Sequence, residues 1–181
     1  MKKLVAVTLF ALALTQVAIA EIADSSVTGF TFKTTLIVQA APETVYKQFL
    51  AIGNWWDPSH TYSGDAHNLS IEQKAMGCFC ESLPNGGAVR HMEVLLLMPG
   101  KMIVLSGGLG PLQSLAATGT MKIILSPAAG GTKVDVTYAV GGYLPAGMNT
   151  FASPVNEVLT EQFSRFKNYV ESGSPMPKKQ P

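Results

Sequence analysis

Among 181 residues, the side chains best suited to proton chemistry are Glu81, His91 and Glu93. Between them lies Asn85-Gly86, a pair that accepts the positive φ angles of a tight turn, so the flanking segments read as two strands of a hairpin. Side chains alternate along a strand, which puts Phe79 and Glu81 on one face and Cys78 and Cys80 on the other. His91 and Glu93 share a face of the returning strand, and cross-strand pairing can gather the three titratable groups. Facing inward, a desolvated carboxylate beside an imidazole is an acid/base pair suited to cyclisation or dehydration. Facing outward, the three form an ordinary solvated cluster, the commoner fate of charged residues on an antiparallel sheet.

Other constellations are weaker. His60, His67, His91, Cys78 and Cys80 offer the atoms of a zinc or copper site, but their spacing matches no established ligand pattern, so neither metal nor cofactor is expected. Residues i and i+2 of a strand have Cα atoms ~6.5–7 Å apart, at or beyond the usual disulfide limit. Reduced, buried thiols are therefore the plain expectation for Cys78 and Cys80, and a metal or redox pair is the sharper one, needing partners from elsewhere. Ser106, Ser114 and Ser153 sit in no Gly-x-Ser-x-Gly turn, and no acid and histidine follow in the order an α/β-hydrolase needs. The glycines at 107, 108 and 110 have no Gly-Lys-Ser or Gly-Lys-Thr behind them, which excludes a nucleotide P-loop.

The elements that must position these groups follow from periodicity. Lys2 and Lys3 precede an apolar run from Leu4 to Leu14, and Ala18-Ile19-Ala20 supplies the small residues of a cleavage site, so residues 1–20 read as a secretory signal peptide cut after Ala20. About 11 apolar residues are too few to cross a bilayer core of ~30 Å. Removing that segment takes two lysines from the 13 basic residues and leaves 11 against 12 acidic ones. A nearly neutral exported chain has no basic surface for a phosphate backbone, so no nucleic-acid partner and no stable membrane insertion are expected. The brevity of the leader points to a bacterial periplasm.

Phe30, Phe32, Thr34, Leu36 and Val38 alternate with polar neighbours as a half-buried strand. Ala41-Pro42-Glu43 opens a helix that Gly53 stops, and Trp55-Trp56-Asp57-Pro58 makes a short aromatic turn. Strands follow at 69–75, 78–83, 88–98, 102–106, 119–125 and 132–140. From Phe151 the apolar residues recur at offsets of three and four, through Val155, Val158, Leu159, Phe163 and Phe166 to Val170, as a long amphipathic helix. Ser153-Pro154 either caps it or kinks a helix that begins near Gly147. Residues 172–181 read as a disordered tail.

This order of elements, with Trp55-Trp56-Asp57-Pro58-Ser59-His60, Gly77-Cys78-Phe79-Cys80-Glu81 and Gly107-Gly108-Leu109-Gly110-Pro111-Leu112 on them, resembles the SRPBCC superfamily of START-like and polyketide-cyclase-like proteins over roughly 30–171. The resemblance implies an α+β helix-grip fold, a curved antiparallel sheet of about seven strands wrapped around the C-terminal helix, in one domain at 21–171. It implies a cavity for a lipid, sterol, polyketide or similar molecule. Trp55, Trp56, His60, Phe79, Glu81, His91, Met121, Tyr138, Phe151, Val155 and Leu159 are placed to line it. Superfamily members include carriers, cyclases and chaperone-associated modules, so the fold alone assigns no activity. The expected function is an exported binding protein for a small hydrophobic molecule, and the alternative is a cyclase or dehydratase using Glu81 and His91. The methionines, among them Met92, Met98, Met102 and Met148, suit core filling or an adaptable cavity wall.

Overall fold

The computed structural model describes residues 20–177. The expected signal peptide lies outside the described residues except for Ala20, as do the last four residues of the expected tail. Strand β1 (Ala20–Ser26) leads into β2 (Gly29–Val38), helix α1 (Pro42–Leu50), β3 (Leu69–Ile71), β4 (Cys78–Ser82), β5 (Ala88–Met98), β6 (Met102–Ser106), β7 (Ala116–Ala128), β8 (Gly131–Tyr143) and helix α2 (Ala152–Ser172). The strands form one antiparallel sheet in the order β1-β2-β8-β7-β6-β5-β4-β3. Short 3₁₀ turns at Ile52–Asn54, Pro58–His60 and Ala66–Asn68 connect α1 to β3. This is the helix-grip α+β fold.

The alternation in β2 buries Phe30, Phe32, Thr34, Leu36 and Val38 against α2, which presents Leu159, Gln162, Phe163 and Phe166. Helix α1 adds Val45, Tyr46, Phe49 and Leu50 to the same core. Ahead of α2 a 3₁₀ turn spans Met148–Phe151, and the N-cap is Phe151 rather than Ser153. Pro154 lies in the first turn, where a missing N–H breaks no helical bond, so the helix is not interrupted there. Gly173, at φ 76°, ends it in the left-handed conformation.

The sheet has eight strands, in keeping with the expected seven or so, and two other expectations need correction. The added β1 is exposed along 21–26 and carries Glu21, Asp24, Ser25 and Ser26, so its backbone ladder to β2 holds it and no apolar alternation announces it. Ser172 belongs to the last turn of α2, and its hydroxyl donates to Asn168 O at 2.8 Å and Ser174 O at 3.2 Å, while the Asn168 amide donates to Pro175 O. The described start of the tail is thus folded back on the helix. Cys78 and Cys80 are joined in a disulfide, with Cα atoms 5.3 Å apart. That separation is shorter than the i, i+2 spacing of an extended strand and lies within disulfide range, which removes the spacing objection. Among the described residues no helix is long and apolar enough to cross a membrane.

Candidate functional site

The two adjacent tryptophans are sent in different directions by one helix. Arg165 of α2 donates to Trp55 O at 3.1 Å and Trp56 O at 3.3 Å, and pairs with Asp57 at 3.0 Å. Gln162, fully buried, accepts from Asp57 N at 2.8 Å and donates to His60 Nδ1 at 2.9 Å. Asp57 caps the Pro58–His60 turn by accepting from Ser59 N. Burial raises the Asp57 pKa, but the hydrogen bonds of Ser59 and the charge of Arg165 outweigh it and leave the carboxyl below its ordinary value. So fixed, Trp55 enters the core against Phe49, Phe163 and Phe166, and its indole donates to Gln48 O. Trp56 instead faces a cavity, with its indole N–H on His60 O at 3.1 Å.

That cavity has a volume of about 400 Å³. Helix α2 and the turn before it supply Phe151, Pro154, Val155, Val158 and Leu159 as one wall. Trp56, Leu69 and Phe79 form another, and Leu109, Gly110 and Pro111 form a lip. Tyr62 ties the two sides of the mouth by donating its hydroxyl to Gly110 O at 3.1 Å. The lip is held from beneath by buried Tyr138, which donates to Gly107 O at 2.9 Å and accepts from Leu109 N at 3.2 Å. Burial pushes the Tyr138 phenol up to about 12, so it stays a donor at any physiological pH.

The polar end is built on a β-bulge. Phe79 pairs with Met92 and Cys80 with Arg90, leaving His91 as the extra residue of β5. His91 and Met92 consequently both face inward, and the alternation resumes out of phase, so Glu93 points to the outer face beside Arg90. Glu93 is thereby separated from the pair it was expected to join. Glu81, with no exposed surface, accepts from His91 Nε2 at 3.0 Å and from the amides of Tyr62 and Ser63. Burial raises its pKa, but the hydrogen bonds from Ser63, Tyr62 and His91 outweigh that and hold the carboxyl below its ordinary value. His91 Nδ1 lies 2.9 Å from Gln113 Nε2, which can only donate, so Nδ1 accepts and the ring proton sits on Nε2. Burial lowers the His91 pKa against the opposing pull of Glu81, and the ring is neutral. Both nitrogens are satisfied within the protein, and the ring, which lines the cavity, lies tilted against Phe79 and Tyr62 with centroids at 5.1 and 6.0 Å.

Of the residues expected at the site, Trp56, His60, Phe79, His91, Phe151, Val155 and Leu159 line the cavity. Trp55, Met121 and Tyr138 do not. Trp55 plugs the core, and Met121 and Tyr138 are paired partners on β7 and β8, buried under it. Glu81 is one layer behind His91 and touches the cavity only through it. Sequence reasoning missed Tyr62, Leu69, Leu109, Pro111 and Val158 as wall residues. Val158 was visible on the helical stripe, but Tyr62 and Leu109 lie on irregular segments whose direction no period reveals. Gln113 and Gln162, which orient the two histidines, carried no signal. Among the described residues no cluster of three or more His, Cys, Asp or Glu could hold a metal ion.

No family model matches the chain, and no curated protein sequence matches it. Solved structures do. CalU16 from Micromonospora echinospora superposes with a TM-score of 0.59 at 11% identity, covering 90% of this chain and 89% of its own. Ara h 8.0201 gives 0.56 at 15% identity over 77% and 96%. The Aha1 dimer from Colwellia psychrerythraea gives 0.55 at 17% identity over 79% and 97%. At such identities these likenesses establish the fold and leave the chemistry to the site.

Proposed function

We propose that this chain is an exported member of the SRPBCC superfamily that binds a small hydrophobic molecule, of lipid, sterol or polyketide-like character, without turning it over. The observation that carries the reading is the apolar cavity between α2 and the sheet, whose volume of about 400 Å³ falls in the ~300–1,000 Å³ range of small-molecule sites. Its walls are aromatic and aliphatic, and its few polar groups sit at one end, the pattern that orients an apolar ligand. A cyclase or dehydratase reading needs a proton carrier open to substrate. His91 spends one nitrogen on Glu81 and the other on Gln113, and Glu81 is filled by three donors, which favours binding over turnover.

Cleavage after Ala20 would leave Glu21–Ser26 paired with β2. Periplasmic location and a signal peptide are part of the proposal.

The test is native mass spectrometry of protein purified gently from a periplasmic extract, with the amino terminus read on the same sample. A chain starting at Glu21 and carrying a stoichiometric apolar adduct is the expected result. Delipidated protein that takes up neither an apolar fluorescent probe nor any cell-extracted lipid overturns the binding assignment.

A further inference from the structure

The Cys78–Cys80 disulfide lies on the opposite face of β4 from the cavity, and both cysteines are partly exposed while Phe79 and Glu81 between and after them point inward. We propose that this disulfide is a site of thiol–disulfide exchange that takes a small polar thiol as co-reactant. As a staple it does little. It closes a loop of three residues, the least favourable length for restricting an unfolded chain. The strand it spans is already paired on both edges, to β3 and to β5.

Its surroundings are electrically lopsided. Cys80 is the cross-strand partner of Arg90, and Cys78 that of Glu93. Directly opposed side chains on one face have Cβ atoms ~4.5–5.5 Å apart. At the Cys78 end the Glu72 carboxylate accepts from Cys78 N at 3.1 Å and is itself paired with Lys74 at 3.4 Å. Ser70, the partner of Cys80 on β3, is uncharged. Arg90 touches Glu93 only at 3.5 Å and keeps most of its side chain in solvent, so it can turn to a thiolate. A thiolate is therefore better stabilised at Cys80 than at Cys78.

In the first step an external thiolate attacks Cys78 Sγ, the Sγ–Sγ bond breaks, and its electron pair leaves on Cys80 as a thiolate beside Arg90. Cys78 is then held in a mixed disulfide. A second external thiolate attacks the outer sulfur of that bond, releasing the oxidised small disulfide and the Cys78 thiolate. Two external thiols are oxidised and one protein disulfide is reduced.

The experiment treats folded protein with glutathione at neutral pH, quenches with acid, and maps the adduct by peptide mass spectrometry while circular dichroism confirms the fold. The expected result is a glutathione adduct several-fold more abundant on Cys78 than on Cys80, at a rate that falls several-fold in R90Q and recovers in R90K. A disulfide that reacts only after denaturation overturns the proposal, as does an adduct favouring Cys80 or one indifferent to Arg90. None of these readouts depends on an apolar ligand, so the result is independent of the binding assignment.

Discussion

The groove beneath α2 is filled at one end and open at the other. At the filled end Trp55 meets Phe49, Trp56, Phe163 and Phe166 with ring centroids 5.1–6.5 Å apart, and Phe49, Trp55, Phe163 and Phe166 are at most 2% exposed. At the open end Trp56 and Phe79 stand at 6.2 Å, and helix α2 presents the smaller Pro154, Val155, Val158 and Leu159 to the cavity. One helix and one sheet thus give a core or a cavity according to the side chains each turn of α2 delivers. Interiors normally pack to the density of organic crystals. A cavity must therefore be kept open by something, and here the Tyr62 bridge to Gly110 and the Tyr138 prop under Gly107 and Leu109 hold the lip away from the helix.

The contrast can be broken by mutation. W55A should lower the unfolding free energy by about 3–5 kcal/mol, the usual cost of emptying an aromatic core position, read from denaturant midpoints. W56A should cost about half of that and abolish apolar-probe binding at concentrations that saturate the native protein. Equal stability losses with binding retained in W56A would erase the distinction between the two ends. A smaller effect comes from filling the open end. V158F should weaken probe binding more than tenfold, about 1.4 kcal/mol, and shift the unfolding midpoint little because it adds volume where there is room.

The smallest effect concerns acidity at the polar end. His91 has a lowered pKa in the folded protein, so below its ordinary value near 6.5 the unfolded chain takes up a proton that the native ring refuses. Stability therefore falls as pH drops through that region, by at most about 1.4 kcal/mol per pH unit for one proton. Glu81 is also depressed, so its contribution is present above about 4.5 and is lost as pH falls further. Denaturant midpoints from pH 7.5 to 4 should decline in two overlapping phases, and H91Q should remove the upper one. An unchanged profile in H91Q contradicts the neutral-imidazole assignment.

Elements governed by a local period were legible in the residues. The alternation of Phe30 to Val38, the three-and-four spacing after Phe151 and the Asn85-Gly86 turn each state their own structure, since burial on one face demands that pattern. In the candidate site much less could be read, and one bulge explains most of the gap. A single extra residue at His91 turns Glu93 outward against two-residue alternation, and Cys78 and Cys80 stand closer than an extended strand would place them. Nothing in the types Arg90-His91-Met92 marks where the insertion falls. The choice between Trp55 and Trp56 was equally invisible, because it is made by Arg165 and Gln162 more than a hundred positions away.

The pairing of β2 with β8 joins Val38 to Thr132 and Gly29 to Gly141. The inner edge of β2 therefore waits, during synthesis, until roughly ninety further residues have arrived. At the ~5–20 residues per second of a ribosome that interval is roughly 5–20 seconds, and contacts of such sequence separation also slow the final closure. A chain built this way stays incomplete for longer than one whose neighbouring strands pair in order.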